Sequence, residues 1–540
     1  MTQATNEGTV SQSHPPPQPD VTTGAEVREM LRARAEVVIL DVREEGVYAD
    51  AHPLFAASLP LGRLELEVLD RVPRQTTPVV VHDEDGGVLA RRAVARLRDL
   101  GYSRVSLLSG GLRGWAVDGG EVFRDVNSAS KAFGELVEAR RHTPSLAAEE
   151  VRAILDRGGD VVVLDARRLD EYQTMNIPTG ISAPGAELVY RVGAAAPSPG
   201  TLVVVNCAGR TRSIIGTQSL VNAGIPNRVA ALRNGTIGWT LAGLTLERGQ
   251  NRVAVAPVGA DARRGRAAAR AVADRAHVSR VDGQGYRVLE ADASRTLYRF
   301  DVRTPEEFAA GHPVGFRSAP GGQLVQETDV FAPVRGARIV LWDDQQARAD
   351  MTASWLVQMG WDVHVLDASP GDLAMATGAW QPRRPPVPDA AMVAPGELAA
   401  DASAVVVDVA ASPSYIRGHV PGAWYTSRTH LDVAVPALPR AARYVATSDD
   451  GVLAQFAAPE LAALTGAHVT VLAGGTAAWR AAGHPMRGGL EHAAGPVHDV
   501  YKRPYEGTDN AASAMQAYLD WEFGLVAQLE RDGTHGFRVL

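Results

Sequence analysis

One order of apolar and polar positions recurs four times along the chain. In each copy a short apolar run ends in an aspartate, at residues 38–41, 163–165, 299–301 and 406–408. A second apolar run then leads into a loop, at residues 79–83, 203–207, 339–343 and 444–448. Apolar runs rich in β-branched residues are typical of buried parallel strands. The pattern therefore predicts one unit of alternating strand and helix, repeated along the chain.

The spacing inside the copies supports a true repeat. The aspartate and the loop position are 42 residues apart in the first three copies, which begin at Asp41, Asp165 and Asp301, and 40 residues apart in the fourth. Three copies close with a Gly-x-x-x-Trp turn, at residues 111–115, 235–239 and 475–479. The third copy reads Ser-Pro-Gly at residues 369–371 instead. Agreement of this kind over four units indicates a tandem repeat.

Each copy has the length of one small α/β domain. We therefore predict an α/β protein of four tandem domains, each a parallel sheet flanked by helices, with ligands at the carboxyl ends of the strands. The domains are placed at residues 21–130, 143–254, 274–385 and 389–489. Linkers are placed around residues 127–142, 255–273 and 381–388.

The two ends of the chain match no copy. Residues 1–20 are polar and proline-rich, and we expect them to be disordered. Residues 490–540 are expected to form a helical tail, because an apolar stripe at helical spacing runs through residues 511–530. Such a stripe indicates a helix packed on one of the domains or on a second subunit, so a homo-oligomer is left open.

Composition excludes several classes of function. The net charge of −8 gives no reason to expect nucleic acid or an acidic membrane surface as a partner. No apolar run is long enough to span a bilayer, and we recognise no secretory signal. The chain has 1 cysteine, Cys207, which excludes an intrachain disulfide framework and fits a reducing cytoplasm.

This cysteine lies between a predicted buried strand and a predicted helix. Three valines precede it at residues 203–205, and Gly209, Arg210 and Arg212 follow before an apolar-periodic segment. Backbone N–H groups and the positive end of a helix dipole at such a turn favour anions. With two arginines nearby, we expect the pKa of the Cys207 thiol to be lowered. A lone cysteine is more often a small buried apolar residue, but the Gly-Arg-Thr-Arg run favours a functional loop.

Several motifs together resemble the rhodanese (sulfurtransferase) family across residues 25–490. They are Asp-x-Arg after a strand, an acidic-aromatic helix start, a Gly-His-x-Pro-Gly turn, a loop that starts with cysteine and the Gly-x-x-x-Trp closure. The turn is clearest at residues 309–313 and 418–423, and the chemistry at residues 207–213. The resemblance implies a ping-pong reaction, in which the cysteine takes the outer sulfur of an anionic donor such as thiosulfate and becomes a persulfide. The sulfur then passes to cyanide, a thiol or another protein.

The resemblance assigns a role to each position of this loop. Cys207 would be the nucleophile. The backbone N–H groups that follow would cradle the persulfide, and the two arginines would attract the donor's anionic group. These expected binding residues are Ala208, Gly209, Arg210, Thr211, Arg212 and Ser213.

Three residues of the same copy are expected to support the structure. Asp165 ends its strand, where a carboxylate can accept backbone N–H bonds. Arg167 is expected to pair with Glu171, four residues further on.

The other copies carry Asp83, Asp343 and Ser448 at the cysteine position, so we predict that these domains are inactive. No cofactor is expected. We expect no metal site either, because the histidines that could serve as ligands occupy one equivalent turn in separate copies, at positions 52, 312 and 419.

Two other classes of function stay open at this stage. A phosphatase or arsenate reductase would use Cys-x5-Arg, but here the arginine falls one position earlier, at Arg212, and Ser213 takes its place. A shorter loop fits a sulfur atom better than a phosphate. A redox sensor or scaffold, in which the inactive domains matter most, is the other alternative.

Overall fold

The computed structural model describes residues 19–540. The segment expected to be disordered, residues 1–20, lies outside the described residues except for its last two positions, and Asp20 begins the first strand. The described residues form four five-stranded parallel sheets and a small antiparallel pair of strands. The prediction of an α/β protein with four tandem sheet domains is confirmed.

All four sheets have the same strand order: first, fifth, fourth, second, third. In that order the strands of the first domain are Asp20–Thr22, Val105–Leu108, Val79–His82, Val38–Asp41 and Ala56–Ser58. Its helices are Gly24–Arg32, Glu45–Asp50, Leu61–Arg63 (3₁₀), Leu64–Arg71, Val88–Asp99 and Gly111–Val117.

The second domain repeats this plan. Its strands, again in spatial order, are Ser145–Leu146, Val229–Leu232, Leu202–Asn206, Val161–Asp165 and Ile181–Ser182. Its helices are Ala148–Asp156, Leu169–Thr174, Gly185–Glu187 (3₁₀), Leu188–Ala195, Thr211–Ala223 and Gly235–Leu241.

The third domain has a 3₁₀ turn where the others have the Gly-x-x-x-Trp helix. Its sheet consists of Ser279–Val281, Asp362–Leu366, Arg338–Trp342, Leu297–Asp301 and Arg317–Ser318, and the small antiparallel pair is His312–Pro313 with Met375–Ala376. Its helices are Gly283–Ala291, Pro305–Ala310, Gly321–Gln326, Thr328–Phe331, Ala347–Gln358 and Pro370–Asp372 (3₁₀).

The fourth domain returns to the common plan. Its strands are Met392–Val393, His468–Leu472, Arg443–Thr447, Val405–Asp408 and Trp424–Tyr425. Its helices are Pro395–Ala400, Ser412–Arg417, Arg428–His430 (3₁₀), Leu431–Ala434, Val435–Ala437 (3₁₀), Val452–Thr465 and Gly475–Ala481.

The repeated sequence motifs hold equivalent turns together. In three domains the strand-end aspartate accepts from the Nε of the arginine two residues on, at 2.9–3.0 Å, in the pairs Asp41–Arg43, Asp165–Arg167 and Asp301–Arg303. The turn histidines stack on the aromatic side chain four residues earlier, with ring centroids 4.1, 3.7 and 3.8 Å apart, in the pairs Tyr48–His52, Phe308–His312 and Tyr415–His419. Both motifs therefore stabilise the local structure, the first by hydrogen bonds and the second by ring stacking.

Two of the three segments predicted as linkers are helices. Ser128–Arg141 forms the first connecting helix and Gly259–Arg275 forms the second. Residues 381–388 have neither helix nor strand. The predicted helical tail is confirmed, and it consists of two helices, Ala512–Phe523 (the tail helix) and Leu525–Asp532, which meet at Gly524.

Two of the apolar cores extend over more than one domain. The largest core joins side chains of the first domain, the third domain, the first connecting helix and the tail. A second core joins the second domain, the second connecting helix and two side chains of the third domain, Ala347 and Met351. Because these cores cross the domain limits, the tail and the connecting helices help to hold the sheets in place.

Two structural features are absent from residues 19–540. No group of three or more histidine, cysteine, aspartate or glutamate side chains there is arranged to hold a metal ion. None of the helices in that range combines the length and the apolar character needed to cross a membrane.

Candidate active site

Cys207 lies where the sequence predicts it, in a loop between a buried strand and a helix. The strand Leu202–Asn206 is buried along its whole length and is paired on both sides, and the helix Thr211–Ala223 follows the loop. The cysteine is 2% exposed. The loop therefore stands at the carboxyl edge of the sheet, and its thiol is enclosed by protein.

A glycine of the Gly-x-x-x-Trp turn shapes this loop. The carbonyls of Cys207 and Ala208 accept hydrogen bonds from the backbone N–H groups of Thr236 and Ile237, at 2.9 and 3.0 Å. Gly235 has φ +55°, and a Cβ atom there would lie 2.3 Å from the carbonyl oxygen of Cys207. Only glycine allows this approach. The motif that closes the repeat thus also holds the loop in shape.

The thiol itself has one polar side-chain partner. It donates to Ser213 Oγ over 3.4 Å, and Ser213 Oγ in turn donates to the Arg210 carbonyl over 2.8 Å. Ser213 therefore connects the thiol to the first turn of the helix.

The expected lowering of the thiol pKa is wrong. Burial raises the pKa of Cys207 above its ordinary value, and the charge of Arg212 and the hydrogen bonds of Ser213 lower it only in part. The nearby Glu522 raises it further. Desolvation disfavours the charged thiolate more than one paired arginine and a helix terminus favour it. The free thiol is therefore the form that this closed site prefers.

The charge of Arg212 acts on the thiol, but its guanidinium is already paired. Its guanidinium donates to both oxygens of Glu171, with Nη1–Oε2 at 2.7 Å and Nη2–Oε1 at 2.9 Å. Burial alone would raise the pKa of Glu171, but Arg212 outweighs it and lowers that pKa to about 2. The pair also lines a polar cavity of about 70 Å³, together with Arg168 and Tyr505. Of the two loop arginines, Arg212 is therefore the one that lines this cavity.

The expected pairing of Arg167 with Glu171 is also wrong. Arg167 instead donates to Asp165, with Nε–Oδ1 at 2.9 Å and Nη2–Oδ2 at 2.7 Å, and to the Met175 carbonyl at 2.6 Å. Asp165 accepts further bonds from the Arg167 backbone N–H at 3.1 Å and from Asn206 Nδ2 at 2.7 Å. A short side chain two residues away competes better for Arg167 than one on the next helix turn, which leaves Glu171 for Arg212.

Arg210 points to the first connecting helix. Its guanidinium forms two bonds with Glu135, at 2.7 and 2.8 Å, and a further bond with Glu138. It also donates to Asn234 Oδ1 at 3.2 Å and stacks over the Phe523 ring at 4.4 Å. The two loop arginines are thus unlike, because Arg210 joins the loop to a helix and to the tail.

The first domain displays what the backbone of this loop can bind. Asp83, at the cysteine position, accepts N–H bonds from Gly86 at 2.7 Å and Gly87 at 2.9 Å through one oxygen. Its other oxygen accepts from Ala90 at 3.0 Å. Backbone N–H groups of the loop and the helix start therefore converge on an anion in the first domain. The equivalent backbone in the second domain runs from Ala208 through Ser213.

The tail covers the Cys207 loop. A Cβ atom at Gly209 would lie 3.1 Å from Tyr518 Cε1 and 3.5 Å from Glu522 Oε2. Tyr518 packs with Ile237, beside the loop, in an apolar cluster. Thr211 faces the other way, because a Cβ at Gly134 of the first connecting helix would lie 2.9 Å from Thr211 Cγ2. The loop is therefore held between the connecting helix and the tail.

Sequence reasoning missed the groups that the tail and the connecting helix bring to the loop. These are Glu135, Glu138, Tyr505 and Glu522. One signal was present: Glu522 follows Tyr518 by four residues and so falls on the apolar stripe of the predicted tail helix. A carboxylate on the buried face of a helix is unusual enough to mark a special site.

Comparison with known proteins places the chain in a family. The sequence model of the rhodanese-like domain matches residues 23–118, 147–242 and 396–482. A solved structure of thiosulfate sulfurtransferase from Pseudomonas aeruginosa is 59% identical, with a TM-score of 0.95, and the match covers 96% of this chain and 100% of that one. The chain belongs to the rhodanese-like family.

The match to thiosulfate sulfurtransferase extends over nearly the whole chain. The protein is therefore a sulfurtransferase. A rhodanese-related protein from Thermoplasma volcanium is 22% identical over 19% of this chain and 99% of its own length, with a TM-score of 0.17. Among curated proteins, none matches the chain significantly.

Proposed function

We propose that the second domain transfers sulfane sulfur from a small anionic donor, such as thiosulfate, through a persulfide on Cys207. The Cys207 thiolate attacks the outer sulfur of thiosulfate and forms an S–S bond. The bond between the two donor sulfurs breaks, and sulfite leaves with its electron pair. Cyanide, a thiol or a protein thiol then attacks the outer sulfur of the persulfide, and Cys207 departs as the thiolate.

One observation carries this proposal. The chain's one cysteine stands at a loop position whose counterpart in the first domain holds a carboxylate with converging backbone N–H groups. A terminal persulfide sulfur is also a small anion, so the corresponding N–H groups of the second domain can stabilise it.

Arg212 supplies the second part of the proposal. Its charge acts on the thiol in the direction that lowers the thiol pKa, although burial outweighs it, and its side chain lines the polar cavity of about 70 Å³. A guanidinium at that place is suited to the sulfonate end of the donor. Arg210, which is engaged with Glu135 and Glu138, would instead keep the loop in position.

The proposal extends to the domain limits and to the other three domains. We retain the limits given above, and we propose that the first, third and fourth domains do not transfer sulfur. Asp83 and Asp343 are carboxylates, which cannot carry sulfane sulfur, and Ser448 is a poor nucleophile near neutral pH. A cytoplasmic location stays a prediction from the single cysteine.

The test uses intact mass and turnover together. Wild-type protein incubated with thiosulfate should gain one sulfur atom, and cyanide should remove it as thiocyanate. Cys207→Ser should gain none and should lose thiosulfate:cyanide activity while keeping its fold. Substantial activity in Cys207→Ser, or hydrolysis of an aryl phosphate by wild type in place of sulfur transfer, would overturn the proposal.

A further inference from the structure

The tail places an acidic side chain against the loop. Glu522 is fully buried, and its Oε1 accepts a hydrogen bond from the Tyr518 hydroxyl at 2.7 Å. Its other oxygen, Oε2, is buried and has no hydrogen-bond partner among the described residues. This is the oxygen that faces Gly209, two residues after Cys207. Because a buried carboxylate oxygen without a partner is costly when ionised, its position needs an explanation.

Charged and polar groups of three elements act on Glu522. Lys131 and Glu135 face it from the first connecting helix, Arg210 from the loop and Tyr518 from its own helix. Burial raises the pKa of Glu522 to about 8, with Glu135 adding to that shift and Lys131, Tyr518 and Arg210 opposing it. At neutral pH the side chain is therefore mostly the neutral acid.

The two nearby cations have other partners. Lys131 donates to Asp125 at 2.8 Å, and its ammonium lies 5.0–5.5 Å from the ring centroids of Tyr505, Tyr518 and Trp521. Arg210 is held by the carboxylates of the connecting helix. Neither cation is free to neutralise Glu522, so a proton is the remaining way to remove its charge.

We propose that Glu522 is a positioning residue for sulfur transfer, one that carries a proton whenever the Cys207 loop carries an anion. The inference rests on the proposed function, because it assumes that Cys207 reacts as a thiolate. At neutral pH Glu522 already holds its proton, so when the thiol ionises, the S–H bond breaks and the thiol proton goes to solvent. The Glu522 proton stays on the carboxyl group while the persulfide exists, and sulfur can regain a proton from solvent once the acceptor has taken the outer sulfur. No electrons are exchanged with Glu522.

The physical reason is the mutual repulsion of two buried negative charges. Ionised Glu522 raises the pKa of Cys207. Its negative charge would also repel an anionic donor and destabilise the ionised persulfide. Neutral Glu522 removes that repulsion without emptying the space beside Gly209. The tail thereby makes the charge of the active-site loop depend on one buried proton.

The decisive variant is Glu522→Gln, which keeps the shape and mimics the neutral acid. Since the chain has 1 cysteine, the pH dependence of iodoacetamide alkylation reports the ionisation of Cys207 alone. We expect Glu522→Gln to shift the alkylation curve to lower pH. We also expect kcat/KM for thiosulfate to fall above about pH 8 in wild type and to lose that fall in the variant.

Two further variants separate this role from simple packing. Asp520→Asn removes a charge from the exposed side of the same helix and should leave both curves unchanged. Tyr518→Phe removes the hydrogen bond that favours ionised Glu522, so the fall in kcat/KM should move to higher pH. Tyr518→Phe also serves if Glu522→Gln does not fold.

The alkylation curve distinguishes this inference from the proposed function, since it needs no sulfur donor. Identical curves in wild type and Glu522→Gln would overturn the role of Glu522 even if sulfur transfer is intact. A shifted curve in a protein that gains no sulfur from thiosulfate would instead retain the ionisation control and overturn the proposed donor chemistry. If Glu522→Gln and Asp520→Asn shift the curve equally, general charge rather than Glu522 is responsible.

Discussion

The loops of the second and third domains are built on the same plan and differ in where their negative charge comes from. Arg212 pairs with Glu171 at 2.7 Å, and Arg348, five residues after Asp343, pairs with Glu307 at 2.6 Å. In each domain the arginine and the glutamate are 41 residues apart. In the second domain the position five residues before the arginine is a neutral thiol. In the third it is a buried carboxylate.

That one position changes the state of the arginine. Asp343 accepts from the Nε and the backbone N–H of Arg348, both at 3.1 Å. Arg348 is further bound by Asp344 at 2.8 Å and by Glu187 of the second domain at 3.2 Å. The third domain therefore has its own carboxyl group at this position, as the first domain does with Asp83. Under the proposed function, the second domain obtains its anion from the substrate, and this difference separates the proposed reactive loop from the loop of the third domain.

The largest expected effect comes from giving the second domain the aspartate that the first and third domains carry. Cys207→Asp should lose sulfur transfer completely, as should Cys207→Ser. The two variants should differ in anion binding, because the new carboxylate would occupy the backbone N–H groups of the second domain that correspond to those bound by Asp83 in the first. Thiosulfate should raise the Tm of Cys207→Ser but not of Cys207→Asp. A thiosulfate-dependent Tm in Cys207→Asp would contradict the common plan.

The reverse exchange should fail. Asp343→Cys in the Cys207→Ser background should gain no sulfur from thiosulfate, since Arg348 keeps Glu187, Glu307 and Asp344 as partners. These carboxylates would repel an anionic donor and raise the pKa of the new thiol.

Asp83→Cys and Ser448→Cys in the same background should also stay inactive, because acidic residues follow both positions in the loop. Sulfur found by intact mass on any of these proteins would mean that the domain is a latent catalyst.

Loss of Arg212 and loss of Arg348 should affect different properties of the protein. Arg212→Ala should lower kcat/KM for thiosulfate by roughly ten- to a hundredfold, since one charge-assisted contact to an anion contributes about 1.5–3 kcal/mol. Added salt should narrow the gap. Arg348→Ala should leave the activity of the folded enzyme unchanged but should destabilise it by about 3–5 kcal/mol, because buried carboxylates lose their partner. Urea unfolding and steady-state kinetics measure the two effects, and equal effects on kinetics would contradict the comparison.

The smallest effect concerns the contact between loop and tail. The second position after the cysteine is Gly209, whereas the third domain has Gln345 there. Gly209→Ala would place a methyl group 3.1 Å from Tyr518 Cε1 and should destabilise the protein by about 1 kcal/mol. Displacement of the tail should also speed the alkylation of Cys207. Alkylation as slow as in wild type would mean that the tail does not limit access to the thiol.

Local patterns in the sequence determined the repeat, the buried strand before Cys207 and the helix after it. The strand Leu202–Asn206 and the helix that ends before Gly224 follow from apolar periodicity and from a glycine at φ +67°, and both are properties of neighbouring residues. The family likewise follows from motifs that recur at fixed spacing. Such features are readable because each one is complete within a few residues.

Only the tertiary structure decided the electrostatics of the loop. The partner of Arg210 lies 75 residues away, and the tail residues that face Gly209 lie over three hundred residues away. The sequence suggested two arginines that attract an anion and a lowered thiol pKa, but folding paired both arginines with carboxylates and buried the thiol. Burial and ion pairing depend on which elements pack together, and no local pattern records that arrangement.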